Sequence, residues 1–202
     1  MKKQRAFLKW AGGKYGLVED IQRHLPPARK LVEPFVGAGS VFLNTDYDQY
    51  LLADINPDLI NLYNLLKERP EEYISEAKRW FVAENNRKEA YLSIRAEFNN
   101  TDDVMYRSLA FLYMNRFGLM AFVAITKKAA STCLLAHTRS RTFQKLKWNS
   151  LLKKRRKPLS FVKAILRHSV EHVRQCGLLR STLCSTIEHG KLYLLRWKWL
   201  YA

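Results

Sequence analysis

Residues 119–202 contain no aspartate and only two glutamates, and no aspartate occurs anywhere after Asp103. That excludes from the second part of the chain any site built on an Asp carboxylate. No run of about eighteen apolar residues exists, which argues against a membrane-spanning helix. The opening "MKKQRAFLKWAGGK" has no apolar stretch ahead of a small-residue cleavage site, so a soluble, non-secreted, cytoplasmic protein is expected. The three cysteines, Cys133, Cys176 and Cys184, show neither paired metal-ligand spacing nor a disulfide framework. They are expected to be free thiols in a reducing compartment, not nucleophiles. His137, His168, His172 and His189 likewise fall at no ligand spacing, and no internal repeat is visible.

What is present is an uneven distribution of charge. The net charge of +17 is a whole-chain number. Residues 1–118 hold 17 Lys and Arg against 16 Asp and Glu, a net of +1. Residues 119–202 hold 18 against 2, a net of +16. Such asymmetry ordinarily marks a basic nucleic-acid tail. Those tails are usually polar and low in complexity, whereas this one is full of Leu, Trp, Phe and Val. The apolar share of 48% is ordinary for a globular protein, and 202 residues suffice for one substantial core or one domain with an insertion.

The first 118 residues are patterned. "YGLVEDIQRHL" puts Leu17, Val18, Ile21 and Leu25 on one helical stripe closed by Pro26-Pro27. "KLVEPF" predicts a short strand running into the glycine turn "VGAGS", and "YLLADI" predicts a second strand ending at Asp54. In "NPDLINLYNLLKERP", Asn56 is the expected helix cap, Pro57 the first-turn residue, and Leu59, Leu62, Tyr63 and Leu66 the buried face. Residues 70–117 read as further helices, closed by Gly118 as a C-terminal cap. Strands and helices early, then helices only, predict the opening of an α/β nucleotide-type sheet followed by a helical insertion.

Three local features carry chemistry. In "EPFVGAGSVF", Gly37 and Gly39 permit a tight turn and close approach of backbone N–H groups to a ligand. The missing third glycine and the missing Lys-Ser/Thr argue against a dinucleotide fingerprint or a phosphate-gripping loop. Taken alone the turn also suits a plain loop. Asp54, at the end of the next strand, can accept both ribose hydroxyls of a nucleoside, or it can simply cap the following helix. In "FLKWAGGK", Trp10 offers a flat face and Lys14 an ammonium that can reach a carboxylate, although a lone Trp also serves as a core anchor.

In this order and spacing, "FLKWAGGK", "EPFVGAGSVF" and "ADIN" resemble the Dam-type adenine-specific DNA methyltransferases, nearly without gaps over residues 1–118 and including "NRFG" at 115–118. The resemblance implies an S-adenosylmethionine-dependent, Rossmann-like α/β methyltransferase sheet with a helical target-recognition insertion. It implies that Trp10, Lys14, Glu33, Phe35, Gly37, Gly39 and Asp54 contact the methyl donor. It also implies that the helices from about residue 57 begin the domain that reads GATC in duplex DNA, and a monomer without membrane partners is expected. Methyl transfer from a sulfonium is an in-line displacement that needs alignment rather than a metal. The family flips the adenine out and holds its amine with an Asp-Pro-Pro-Tyr loop.

That loop is absent, so no catalytic residue is assigned. After "NRFG", where the family continues with a DNA-contacting hairpin, this chain reads "LMAFVAITKK". Codons chosen for Leu119 to Thr132 regroup, from the last base of the Leu codon, into NGFCRYNKKGGFN, a plausible form of the hairpin. Codons chosen for Leu178 to Ser185 regroup, from the second base, into YCDPPYA, the missing loop. The different offsets imply at least two frame changes. The expected organisation is therefore residues 1–56 as the donor-binding part, 57–118 as the helical part of target recognition, and 119–202 as an out-of-frame basic tail. The sheet is then expected to lack its later strands and the chain to be inactive, with "KKRRK" at 153–157 as incidental charge. The alternative is a non-enzymatic basic module binding nucleic acid through residues 127–198.

Overall fold

The computed structural model describes residues 3–118, 148–154 and 156–163. Its centre is a parallel sheet in which β1 (Lys30–Glu33), β2 (Gln49–Asp54) and β3 (Leu159–Lys163) lie in that order. Strand β1 runs beside β2, with Val32 opposite Leu51. Residues Tyr50 to Asp54 are all buried, as a central parallel strand covered on both faces requires.

Helix α1 (Val18–His24) begins one residue later than the apolar stripe suggests. Val18 is buried and Ile21 and Leu25 pack against the core, but Leu17 precedes the helix and is exposed. The short helix α2 (Ser40–Asn44) starts directly from Gly39 and forms the crossover between β1 and β2. Helix α3 (Pro57–Glu68) is capped as expected: the Asn56 side chain accepts from the N–H groups of Asp58 and Leu59 at 3.0 and 3.1 Å. Leu59, Leu62, Tyr63 and Leu66 are buried on it.

Helices α4 (Pro70–Trp80), α5 (Lys88–Asn100) and α6 (Val104–Phe117) follow, with a single 3-10 turn at Glu84–Asn86 between α4 and α5. Helix α6 is buried continuously from Ser108 to Asn115 and packs against α3, α4 and α5, so its middle turns are covered on every face. Arg107 ties it to α3 by a bidentate pair with the buried Asp58 at 3.0 and 3.1 Å. Gly118 closes α6 by donating to the Met114 carbonyl at 2.7 Å, but its backbone is extended (φ −63°, ψ 149°). The expected glycine cap therefore holds by position and not by a left-handed turn.

The main difference from expectation follows Gly118. Helix α7 (Asn149–Lys154) leads into strand β3 (Leu159–Lys163), which pairs in parallel with β2 and sets Phe161 opposite Leu52. The sheet thus regains one strand from the region expected to supply none. Leu159 and Phe161 are buried on it, with the exposed Ser160 between them. Trp148, just before α7, packs on Phe7 at 4.7 Å between ring centroids. The hairpin and Asp-Pro-Pro-Tyr regroupings, the three cysteines and the four late histidines lie outside the described residues. Among the described residues no helix is long and apolar enough to cross a membrane.

Candidate functional site

The carboxyl ends of β1 and β2 meet at the glycine turn, where ligands of open α/β sheets ordinarily bind. The Val36 N–H donates to the Ala53 carbonyl at 2.9 Å, and the Gly39 N–H returns to the Val36 carbonyl at 2.8 Å. Gly37 and Gly39 both take positive φ, 46° and 75°, a region that other residues enter only at a cost. A Cβ on Gly37 would sit 2.8 Å from the Trp10 ring nitrogen, so the turn and the indole are in direct contact.

Asp54 is buried beneath this turn. One carboxylate oxygen accepts from the Gly37 N–H at 3.0 Å and the other from the Asn56 N–H at 3.0 Å. Asn56, not Asp54, caps α3. Each Asp54 oxygen keeps acceptor capacity beyond these bonds, so the carboxylate locks the turn to the helix entry and still has lone pairs to offer.

Glu33, the last residue of β1, is also buried and accepts from the Lys14 ammonium at 2.7 Å and the Phe42 N–H at 3.3 Å. Burial pushes its carboxyl above the usual range, and the adjacent Lys14 charge opposes that rise. Lys14 reaches the Phe35 carbonyl as well, at 2.5 Å. Phe35 itself turns outward, 45% exposed, and Ile55 beyond the end of β2 is 65% exposed, so both strand ends carry an apolar side chain facing solvent.

The "NRFG" segment fixes the other wall. Asn115 is buried at the end of α6; its side-chain oxygen accepts from the Lys9 N–H at 3.0 Å and its amide donates to the Lys9 carbonyl at 2.7 Å. Arg116 donates to the Phe7 carbonyl at 3.1 Å, and the Lys9 ammonium to the Arg116 carbonyl at 3.1 Å. Trp10, next in the chain, is half-buried between the turn and Phe111, whose ring lies 6.4 Å away. It therefore packs against the core and contacts the glycine turn at once.

All seven residues expected at the site gather here: Lys14 with Glu33 and the Phe35 backbone, Trp10 against Gly37, Gly37 on Asp54, and Gly39 opening α2. The sequence reading missed Tyr63, which it placed only on the buried face of α3. Its hydroxyl donates to the Gly37 carbonyl at 3.0 Å. The available signal was the single polar atom on that otherwise aliphatic face.

The basic run also differs from expectation. Lys154 donates to the Thr45 carbonyl and to the Tyr50 hydroxyl, and Lys157 donates to Asp46 at 2.6 Å and to the Tyr47 carbonyl at 2.7 Å. Two of its cations thus hold α7 and β3 to the loop entering β2, while Lys153 and Arg156 face solvent. Lys157 and Lys154 in turn hold the Asp46 carboxyl below its usual range. A cleft of about 510 Å³, bordered by Gln4, Asn44, Asp46 and Lys153, lies at this end of the strands, away from the glycine turn.

Comparison with known proteins identifies the family. The D12 class N6 adenine-specific DNA methyltransferase family matches residues 10–170, past Gly118 and through β3. A DNA adenine methylase of Vibrio cholerae serotype O1 (strain O395) is 77% identical over 128 residues, covering 63% of this chain and 46% of that protein. The DNA adenine methylase of Escherichia coli (strain K12) is 61% identical over 118 residues, 58% of this chain and 42% of that protein. That of Serratia marcescens is 59% identical over 116 residues, 57% and 43% respectively. The chain spans less than half the length of these relatives. With the glycine turn, its buried acid and a family match over most of the sequence in agreement, the chain belongs to the D12 class N6 adenine-specific DNA methyltransferases.

Proposed function

We propose that this chain carries the donor-binding part of an adenine-specific DNA methyltransferase acting on GATC in duplex DNA, with S-adenosylmethionine held by Trp10, Lys14, Glu33, Phe35, Gly37, Gly39 and Asp54. The observation that carries the reading is Asp54: a buried carboxylate with unused acceptor capacity, hydrogen-bonded to a positive-φ glycine turn. Such a carboxylate suits vicinal hydroxyls, and exposed Phe35 and Ile55 offer apolar surface for a flat ring. When bound, S-adenosylmethionine supplies an activated methyl group. This chain's residues orient it and exclude water from one side; the Lys14 ammonium, shared between Glu33 and a carbonyl, stands near enough to the turn to meet an anionic group.

Residues 57–118 are proposed to be the helical part of target recognition and residues 119–202 an out-of-frame reading of the same gene. An alternating apolar pentapeptide can supply β3 whichever frame produced it. The sequence contains no Asp-Pro-Pro-Tyr loop to accept the amine protons, so the expected state of this chain is donor binding without turnover, in a cytoplasmic monomer. Equilibrium binding of S-adenosylmethionine to the chain and to Asp54→Asn tests the site, and loss of at least tenfold in affinity is expected. Equal binding would remove Asp54 from the site. Methylation of GATC-containing duplex by the purified chain would overturn the claim of inactivity.

A second reading rests on the +16 net charge of residues 119–202. A non-enzymatic basic module acting through residues 127–198 predicts duplex binding without sequence preference and with a steep salt dependence. Substituting Asp54 would leave that binding unchanged.

A further inference from the structure

We propose that Tyr63 is a positioning residue of the donor site, fixing the glycine turn through its hydroxyl and coupling that turn to β3 through a ring stack on Phe161. The inference rests on the donor-site reading above. Gly37 has two backbone polar groups, and both are held: its N–H by Asp54 at 3.0 Å and its carbonyl by the Tyr63 hydroxyl at 3.0 Å. A glycine at positive φ would otherwise be the loosest link of the turn. The same hydroxyl lies 3.3 Å from where a Cβ on Gly39 would be, so Tyr63 also forms the floor under the second glycine.

Three segments meet on the Tyr63 ring. Phe161 of β3 stacks on it at 4.8 Å with planes 7° apart. Phe7, three residues before Trp10, meets it edge-on at 6.2 Å. Helix α3 supplies the residue itself, which is 1% exposed. Burial and the nearby Glu33 and Asp54 carboxylates push the phenol well above its usual range, so it stays protonated and acts as a donor to the carbonyl. The stack depends on sheet register: Phe161 faces Leu52, two residues before Asp54, and a one-residue slip of β3 would turn Phe161 to the opposite face. The turn is thereby ordered before any ligand arrives, which lowers the ordering cost of binding.

The test uses the full chain and the variant Tyr63→Phe, which keeps the ring and removes one hydrogen bond. Two measurements are made: amide hydrogen exchange at Gly37 and Gly39 in the free protein, and the dissociation constant of S-adenosylmethionine. Exchange at the two glycines is expected to quicken about tenfold while amides of the α3 and β2 cores stay unchanged, and donor affinity is expected to fall about five- to tenfold. Phe161→Leu should reproduce both effects more weakly. Unchanged exchange in folded Tyr63→Phe overturns the proposal. Faster exchange with unchanged affinity also overturns it, since Tyr63 would then be merely structural. Failure of the unsubstituted chain to bind donor, with Asp54→Asn making no difference, would sink the donor-site reading and the positioning role together. Loss in Asp54→Asn alone would sink only the positioning role.

Discussion

A methyl group on residue 37 has nowhere to go. Positive φ and the Trp10 edge at 2.8 Å both oppose it, so Gly37→Ala is expected to lose about 3 kcal/mol in urea denaturation. Gly12 separates the two causes: its φ is 64° but nothing lies within 4 Å of its missing Cβ, so Gly12→Ala should lose only about 1 kcal/mol. Glu33 gives a prediction in pH. Its folded carboxyl titrates above the 4.5 of an unburied glutamate because of burial. The contribution of this group to stability is therefore full below 4.5 and is lost as pH rises through the raised folded value. Plotting the stability of the chain minus that of Glu33→Gln against pH should give a curve that declines on leaving the acid side. A curve that rises would mean that Lys14 and the Phe42 N–H outweigh burial.

Elements explain what the sequence could and could not reveal. The first two strands were legible because each ends in a chemical mark, a glycine turn and an acid, and α3 because Asn56-Pro57 starts it. The candidate site at the glycine turn was legible for the same reason: its residues lie on those marks. Strand β3 was not, since five residues with two buried side chains carry little periodicity, and its partner lies more than a hundred positions earlier in the chain. "NRFG" was recognised as a pattern, but its task emerges only from geometry: Asn115 imitates a strand edge for Lys9. Asn115→Ala leaves both Lys9 backbone groups without that partner and should lower stability by about 2–3 kcal/mol, measured by thermal unfolding. Phe161→Ala on β3 is expected to lose about 3–5 kcal/mol, because it empties the space beside Tyr63 and Phe42. A loss below 1 kcal/mol would show that β3 adds little to the sheet.

At the scale of the whole molecule, charge and fold are separate properties. The balanced first 118 residues contain the site, and the excess of +16 lies after them. Retention on duplex DNA should therefore fall steeply with salt even in Asp54→Asn, whose donor binding is expected to fail. The nucleotide sequence of the gene decides how the second part arose: in-frame codons incompatible with the two regroupings would refute the out-of-frame reading.

The Lys157–Asp46 pair, which spans 111 positions, has a consequence in time. Helices α3 to α6 close over short sequence distances and can assemble early, whereas β3 reaches β2 only after every intervening residue has been made. During synthesis the central strand must wait with one edge unpaired. Refolding from urea should accordingly show a slow phase that reports on Phe161 and leaves the helical signal almost unchanged.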